Sequence, residues 1–252
     1  MKRSLFIFIA FVLPLLSLGS EHANSTFIKG NNNYNKAQYK EALDNYRAVL
    51  NSGYQSAALY FNMGNASYKL GEIPSAILYF EKAHKLSPGD QDINFNIKLA
   101  NAKTTDKIDP APVFFLTRWW HNFILSFSTQ TFAIISITMV LLASGLFIVY
   151  LLTNILALKK FSFYISLICV FAGLFSFFIA NRQVAYFNDS QQAIIFNGTV
   201  NVKSGPTDRQ RTLFIIHEGT KVNILEKTNG WINISMVNGN QGWIKLADTR
   251  EI

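Results

Sequence analysis

Residues 57–90 read AALYFNMGNASYKLGEIPSAILYFEKAHKLSPGD, and this stretch decides how the soluble part folds. With Ala57 as position 1, a large aromatic falls at Tyr60, a small packing pair at Met63 and Gly64, and a second aromatic at Tyr68. The second half carries a small residue at Ala76, its packing partners Phe80 and Ala83, and a closing Pro88. Two antiparallel helices joined by a turn account for this pattern. Gly64 and Ala76 let the helices approach closely, while Tyr60, Tyr68 and Phe80 fill the space around them.

A unit of this kind buries its apolar face only against neighbours, so it must repeat. Shifting back by 34 residues aligns Phe27 with Phe61, Gly30 with Gly64, Tyr34 with Tyr68, Ala42 with Ala76 and Tyr46 with Phe80. The earlier copy is degenerate, with Thr26, Lys29 and Tyr54 at positions that are aromatic, aliphatic and proline in the later one. Downstream, Asp92–Ala102 (DINFNIKLANA) fits a capping helix, although Phe95 and Ile97 also suit strand alternation.

The 34-residue spacing resembles the tetratricopeptide (TPR) repeat. The resemblance implies an all-α helix-turn-helix array over residues 21–103, two repeats plus a cap, presenting a groove to another protein. By that resemblance the groove is lined by Asn31, Tyr34 and Asn35 in the first repeat and by Asn65, Tyr68 and Lys69 in the second. Asn31 and Asn65 occupy the same repeat position, where an amide can both donate to and accept from an extended peptide backbone. For Tyr34 and Tyr68, packing is an equal reading, and for Phe27 and Phe61 it is the favoured one. These phenylalanines stand where carboxylate-binding TPR proteins place lysine, so an acidic C-terminus is not the expected ligand.

The chain opens MKRSLFIFIAFVLPLLSLGS: two charges, an apolar core of 12 residues from Leu5 to Leu16, then small residues. Twelve residues fall short of the roughly 30 Å of hydrocarbon in a bilayer, so residues 1–20 read as a secretory signal. Two longer uncharged runs follow, 131–152 and 161–180, of 22 and 20 residues. Each is long enough to cross a bilayer. Residues 153–160 between them end in Lys159-Lys160, a short basic loop of the kind that stays cytoplasmic. The expectation is a two-helix transmembrane hairpin in a bacterial inner membrane, with both flanking domains on the periplasmic side. Residues 104–130 form a linker and an aromatic segment, in which Arg118, Trp119 and Trp120 suit a membrane interface.

Residues 192–252 read as β. AIIF (193–196), TVNVK (199–203), TLFII (212–216), KVNIL (221–225), WINISMV (231–237) and GWIKL (242–246) alternate with Gly, Asn, Asp and Pro. Six short strands in such a span suggest a small β-barrel. The segments Val200–Pro206, His217–Thr220, Gly230-Trp231 and Gly242-Trp243-Ile244 resemble a bacterial SH3 (SH3b) domain, with Lys203 where that family usually has arginine. Trp231 and Trp243 are candidates for the rim of a ligand cleft, with packing as the competing reading.

A net charge of +8 does not point to nucleic acid, because residues 21–112 hold ten basic and nine acidic side chains and no polybasic face. The excess sits largely in residues 1–20 and in the flanks of the apolar runs. One cysteine, Cys169, allows no intramolecular disulfide and no Cys-x-x-Cys motif. The four histidines are scattered, with no His-Glu-x-x-His spacing, and no glycine-rich phosphate loop occurs. Neither an enzyme nor a cofactor or metal is expected. Five Asn-x-Ser/Thr matches read as chance in an Asn-rich chain.

The order of parts resembles the BatE-type TPR proteins of the Bacteroides aerotolerance (Bat) operon family. The stretches NMGNASYKLGEIPSAILYFEKA and IKLANAKTTDKI carry the resemblance best. It implies an inner-membrane, periplasm-facing scaffold whose partners are von Willebrand A domain membrane proteins of that operon. The rival expectation is an envelope-binding module whose C-terminal domain contacts peptidoglycan.

Overall fold

The computed structural model describes residues 21–252. The segment 1–20, expected to be a secretory signal, lies outside the described residues. Helices α1 (21–35), α2 (Tyr39–Asn51), α3 (Ala57–Lys69), α4 (Ile73–Leu86) and α5 (Gln91–Asn101) form the N-terminal array. The ends of these helices are written locally. Ser56 accepts from the Leu59 N–H at 3.1 Å, Pro74 stands in the first turn of α4, and Asp90 accepts from the N–H groups of Asp92 and Ile93.

The two repeats make the same contact twice. A Cβ at Gly30 would stand 2.6 Å from the Tyr46 ring, and one at Gly64 would stand 2.5 Å from the Phe80 ring. Phe27 lies on Tyr46 with ring centroids 5.8 Å apart, and Phe61 lies on Phe80 at 5.9 Å. Tyr46 and Phe80 are buried. Gly30 and Gly64 are therefore glycine because a ring occupies the place of their side chains, and both phenylalanines are packing residues.

After a linker, α6 (Phe115–Ile124) leads into α7 (Thr129–Leu152) and α8 (Leu156–Asp189). Both α7 and α8 are long and apolar enough to cross a membrane. They pack side by side through small residues of α8: Ser162, Ser166, Cys169, Gly173, Ser176 and Ala180. Serine hydroxyls tie the pair together, Ser136 to the Gly173 carbonyl at 2.9 Å, Ser166 to Ala143 at 2.9 Å and Ser176 to Phe132 at 2.7 Å. Their other faces expose large apolar side chains such as Ile137, Leu141, Phe171 and Leu174. The connection between them is shorter than the basic loop expected, because Leu156-Ala157-Leu158-Lys159-Lys160 continues as helix. These residues are mostly strong helix formers, and Lys159 Nζ sits 5.3 Å above the Tyr150 ring.

The C-terminal region contains β1 (Gln192–Ile195), β2 (Thr199–Lys203), β3 (Thr212–His217), β4 (Lys221–Thr228), β5 (Trp231–Ser235), β6 (Gln241–Lys245) and β7 (Thr249–Glu251). All pairings are antiparallel, in the order β3-β2-β6-β5-β4-β1-β7. The expected closed barrel is not formed: β3 and β7 remain as edges. Closure needs the two terminal strands to pair, whereas β7 is three residues long and pairs only with β1. Register shifts at Val202/Lys203 and Ile224/Glu226 bend the sheet, and its alternating residues Val200, Val202, Val222, Ile232, Ile234 and Ile244 share one core.

The array and the sheet dock on each other. Ala193 and Ile195 of β1 face the sheet core, while Ile194 joins Ala76, Ile77, Phe80 and Ala100 of the helices. Consecutive burial of β1 follows from having a helix layer on its second face. His84 of α4 meets Phe187 of α8 edge-on at 6.2 Å. Burial pushes its ring below the usual histidine range, which favours the neutral form.

Candidate partner-binding surfaces

Six residues of the repeats are the expected groove positions. Asn31 is already occupied: its Oδ1 accepts from the Tyr46 hydroxyl at 2.8 Å and from Asn62 Nδ2 at 3.0 Å. Burial pushes the Tyr46 hydroxyl up to about 12, with the neighbouring Tyr34 adding to the effect, so it remains a donor at neutral pH. Asn31 thus ties α1 to both α2 and α3, and its amide serves the fold. The equivalent Asn65 is half-exposed, and Lys69 and Asn35 are exposed. Tyr34 stands edge-on to Tyr39 at 5.2 Å, and Tyr68 packs partly buried against the cluster around Ala76. Of the six residues expected to line a groove, Asn35 and Lys69 are exposed and Asn65 half-exposed, Tyr34 and Tyr68 are partly buried in packing, and Asn31 is structural.

The two tryptophans lie together on the outer face of the sheet. Trp231 is opposite Lys245 and Asn233 is opposite Trp243 across β5 and β6, while Lys203 of β2 flanks Trp243. Trp231 and Trp243 are half-exposed, and Lys245 Nζ sits 5.6 Å above the Trp231 ring. Between them the Asn233 Oδ1 is buried without a hydrogen-bond partner among the described residues. Alternation along β5 and β6 was sufficient to place these rings on one face.

A third arrangement carried no motif in the sequence. The linker at Asp106 reaches the β3–β4 turn, where its carboxylate accepts the His217 N–H at 2.7 Å, meets His217 Nδ1 at 2.7 Å and accepts the Thr220 hydroxyl at 2.8 Å. Burial acts to raise this carboxyl, but the donors of His217 and Thr220 outweigh it and hold the group below its ordinary value. Beside it Lys221 and Glu81 pair at 2.9 Å across the array–sheet boundary, with the glutamate side chain only 6% exposed. Together with Lys107, whose Nζ donates to three carbonyls at the end of α5, Asp106, Thr220, Lys221 and Glu81 line a cavity of about 480 Å³. No cluster of three or more potential metal ligands occurs among the described residues.

The family model described as Tetratricopeptide repeat matches residues 57–90. The chain therefore contains a TPR repeat, set in a helical array, followed by two apolar helices and an antiparallel sheet. The crystal structure of YrrB, described as a TPR protein with an unusual peptide-binding site, aligns with 70% of this chain and 81% of its own at 18% identity and a TM-score of 0.32. No curated protein matches the chain.

Proposed function

We propose that the chain is a membrane-anchored protein–protein interaction scaffold whose TPR groove holds an extended segment of a partner. The observation that carries this reading is the second repeat, residues 57–90, with Asn65 and Lys69 left accessible on its inner face. Anchoring rests on α7 and α8, whose outward surfaces are apolar over residues 131–152 and 161–180. Lys159 and Lys160 at one end of the hairpin support a cytoplasmic turn, with the array and sheet on the periplasmic side. The order of parts, as in BatE-type proteins, supports companion membrane proteins with von Willebrand A domains as the partners, in an assembly serving oxygen tolerance or envelope stress. Crosslinked capture with the tagged full-length chain tests this. Such partners should be recovered by the wild type and lost with Asn65→Ala combined with Lys69→Glu; equal recovery by the variant removes the groove.

A second reading is favoured by the two half-exposed indoles of Trp231 and Trp243, with Lys203 and Lys245 beside them. An aromatic face edged by ammonium donors suits a ligand with sugar rings and carboxylates, and peptidoglycan supplies both. Retention of muropeptides by the wild type but not by Trp243→Ala would support that reading.

A further inference from the structure

We propose that the cleft between α6 and the outer end of α8 binds a zwitterionic phospholipid, its phosphate toward Arg182 and His121 and its ammonium toward Asp189. This proposal rests on the membrane-spanning reading of α7 and α8.

The cleft has a volume of about 230 Å³ and is lined by Trp120, His121, Arg182, Tyr186, Asp189 and Ser190. Its height is set by the sequence of α8. The uncharged run ends at Ala180, and Arg182 follows two residues later, at the level where a bilayer passes from hydrocarbon to headgroups. Trp120 and Tyr186 at the same level suit that boundary, since their rings are apolar and their tips polar. Gln183 fixes the wall opposite. It is fully buried, and its Nε2 donates to the carbonyls of Ile124 at 2.7 Å and Phe127 at 2.8 Å, holding the end of α6 against α8. The cleft is thus a built gap between two clamped helices.

The charges inside it are unspent. No ion pair among the described residues uses Arg182 or Asp189. They stand seven residues apart, two turns, so they share one face of α8 with about 10 Å between them along the axis. A helical side chain leans toward the N-terminus of its helix, so Arg182 reaches down toward the apolar run while Asp189 stays farther out. A glycerophospholipid with an amine headgroup has the same order: chains, then phosphodiester, then ammonium. The guanidinium gives the phosphate a bidentate partner, and the His121 ring, tilted against Tyr186 at 5.2 Å, lines the same cleft. Below the cleft the apolar surface continues. Trp119 stacks on Phe123 at 5.9 Å, Phe123 lies 6.3 Å from Phe175, and Phe175 is exposed to receive an acyl chain. A headgroup with glycerol in place of the amine keeps the phosphodiester but leaves Asp189 without a cation, so the site discriminates against it.

Native mass spectrometry of the full-length chain in detergent provides the test. The probes are phosphatidylethanolamine, phosphatidylglycerol with the same acyl chains, and water-soluble glycerophosphoethanolamine. The wild type should retain phosphatidylethanolamine in preference to phosphatidylglycerol and bind glycerophosphoethanolamine only weakly. Arg182→Gln should weaken phosphatidylethanolamine retention about tenfold, the weight of one charge-assisted hydrogen bond. Asp189→Asn should abolish the preference between the two lipids. Equal retention by the wild type and Arg182→Gln overturns the headgroup site, as does equal retention of the two lipids by the wild type. Binding of glycerophosphoethanolamine as tightly as the lipid would make the ligand a free phosphodiester and overturn the lipid assignment. A chain that remains in solution without detergent removes the membrane reading itself, an outcome distinct from detergent dependence without lipid preference.

Discussion

Asp106 and His217, 111 residues apart in the chain, meet through two contacts of 2.7 Å, one to the histidine backbone N–H and one to its ring. With the Thr220 hydroxyl at 2.8 Å, one carboxylate holds the linker onto the β3–β4 turn. The folded-state pKa of Asp106 is lowered, so its contribution is complete above the ordinary carboxylate value of about 4. It is lost as pH falls through the lower folded value. Asp106→Ala should destabilise the array–sheet junction by about 1–3 kcal/mol at neutral pH. In thermal melts, the gap between the wild type and Asp106→Ala should narrow below about pH 4. A gap that does not change with acid would mean that the charge plays no part.

Gly64→Ala separates packing from helix propensity. Alanine is favoured over glycine in a helix interior by about 1 kcal/mol, yet here its Cβ would stand 2.5 Å from the Phe80 ring. Overpacking, typically about 1–3 kcal/mol, should exceed that gain. The melting temperature monitored by helical circular dichroism should fall, and Gly30→Ala should act likewise against Tyr46. Gly145→Ala in α7, where nothing lies within 4 Å, serves as the control and should cause no loss.

Asn31 and Asn65 occupy equivalent repeat positions but should behave differently. Asn31→Ala removes the acceptor of two hydrogen bonds and should lower the stability of the array by about 1–3 kcal/mol. Asn65→Ala should leave the melt unchanged and weaken partner capture alone. If both variants melt like the wild type, the link among α1, α2 and α3 is not maintained by Asn31.

Gln183→Leu should release α6. The substitution leaves the Ile124 and Phe127 carbonyls and the Thr129 hydroxyl without their partner, a cost of about 1–3 kcal/mol for each group that water does not recover. Limited proteolysis should then cut near Trp119 and Trp120 sooner than in the wild type.

Gly89→Ala tests how closely the array sits on the apolar hairpin. A Cβ at Gly89 would collide with the Ser126 backbone carbonyl in the turn between α6 and α7. Because backbone rather than a flexible side chain lies in the way, relief requires the array to shift. Crosslinks between the α4–α5 turn and residues 124–128 should be lost, while helix content stays constant.

The repeat was legible because its determinants are local and periodic: Gly64, Ala76 and Phe80 follow the period, and Gly30, Ala42 and Tyr46 repeat it. The strands were legible for the same reason, since alternation at Val200-Val202 and Ile232-Ile234 names a buried face. What the residues left unsaid depended on distant partners. Ile194 should have pointed outward by alternation; its burial comes from α4 and α5, about a hundred residues earlier. Asn31 satisfies the groove rule, but its partners, Tyr46 and Asn62, lie 15 and 31 residues away. Strand number suggested closure, whereas closure depends on how the edge strands meet, and the short β7 pairs with β1 instead. Lysine composition suggested a loop at 159–160 although these residues favour helix.

Helix α8 runs unbroken from Leu156 to Asp189, and only Ser190 and Gln191 separate it from β1. At 1.5 Å per residue its 34 residues make a rod of about 51 Å, with a lysine pair at its base and the sheet at its tip. A rod without a hinge works as a lever. A few degrees of tilt at the base sweep the tip sideways by several ångströms, and a twist about the axis turns β1 through the same angle. Since β1 is packed into the helical array through Ile194, the groove would ride with it. Force applied at the Lys159-Lys160 end would thus reach the helical array as motion rather than dissipate in a flexible tether.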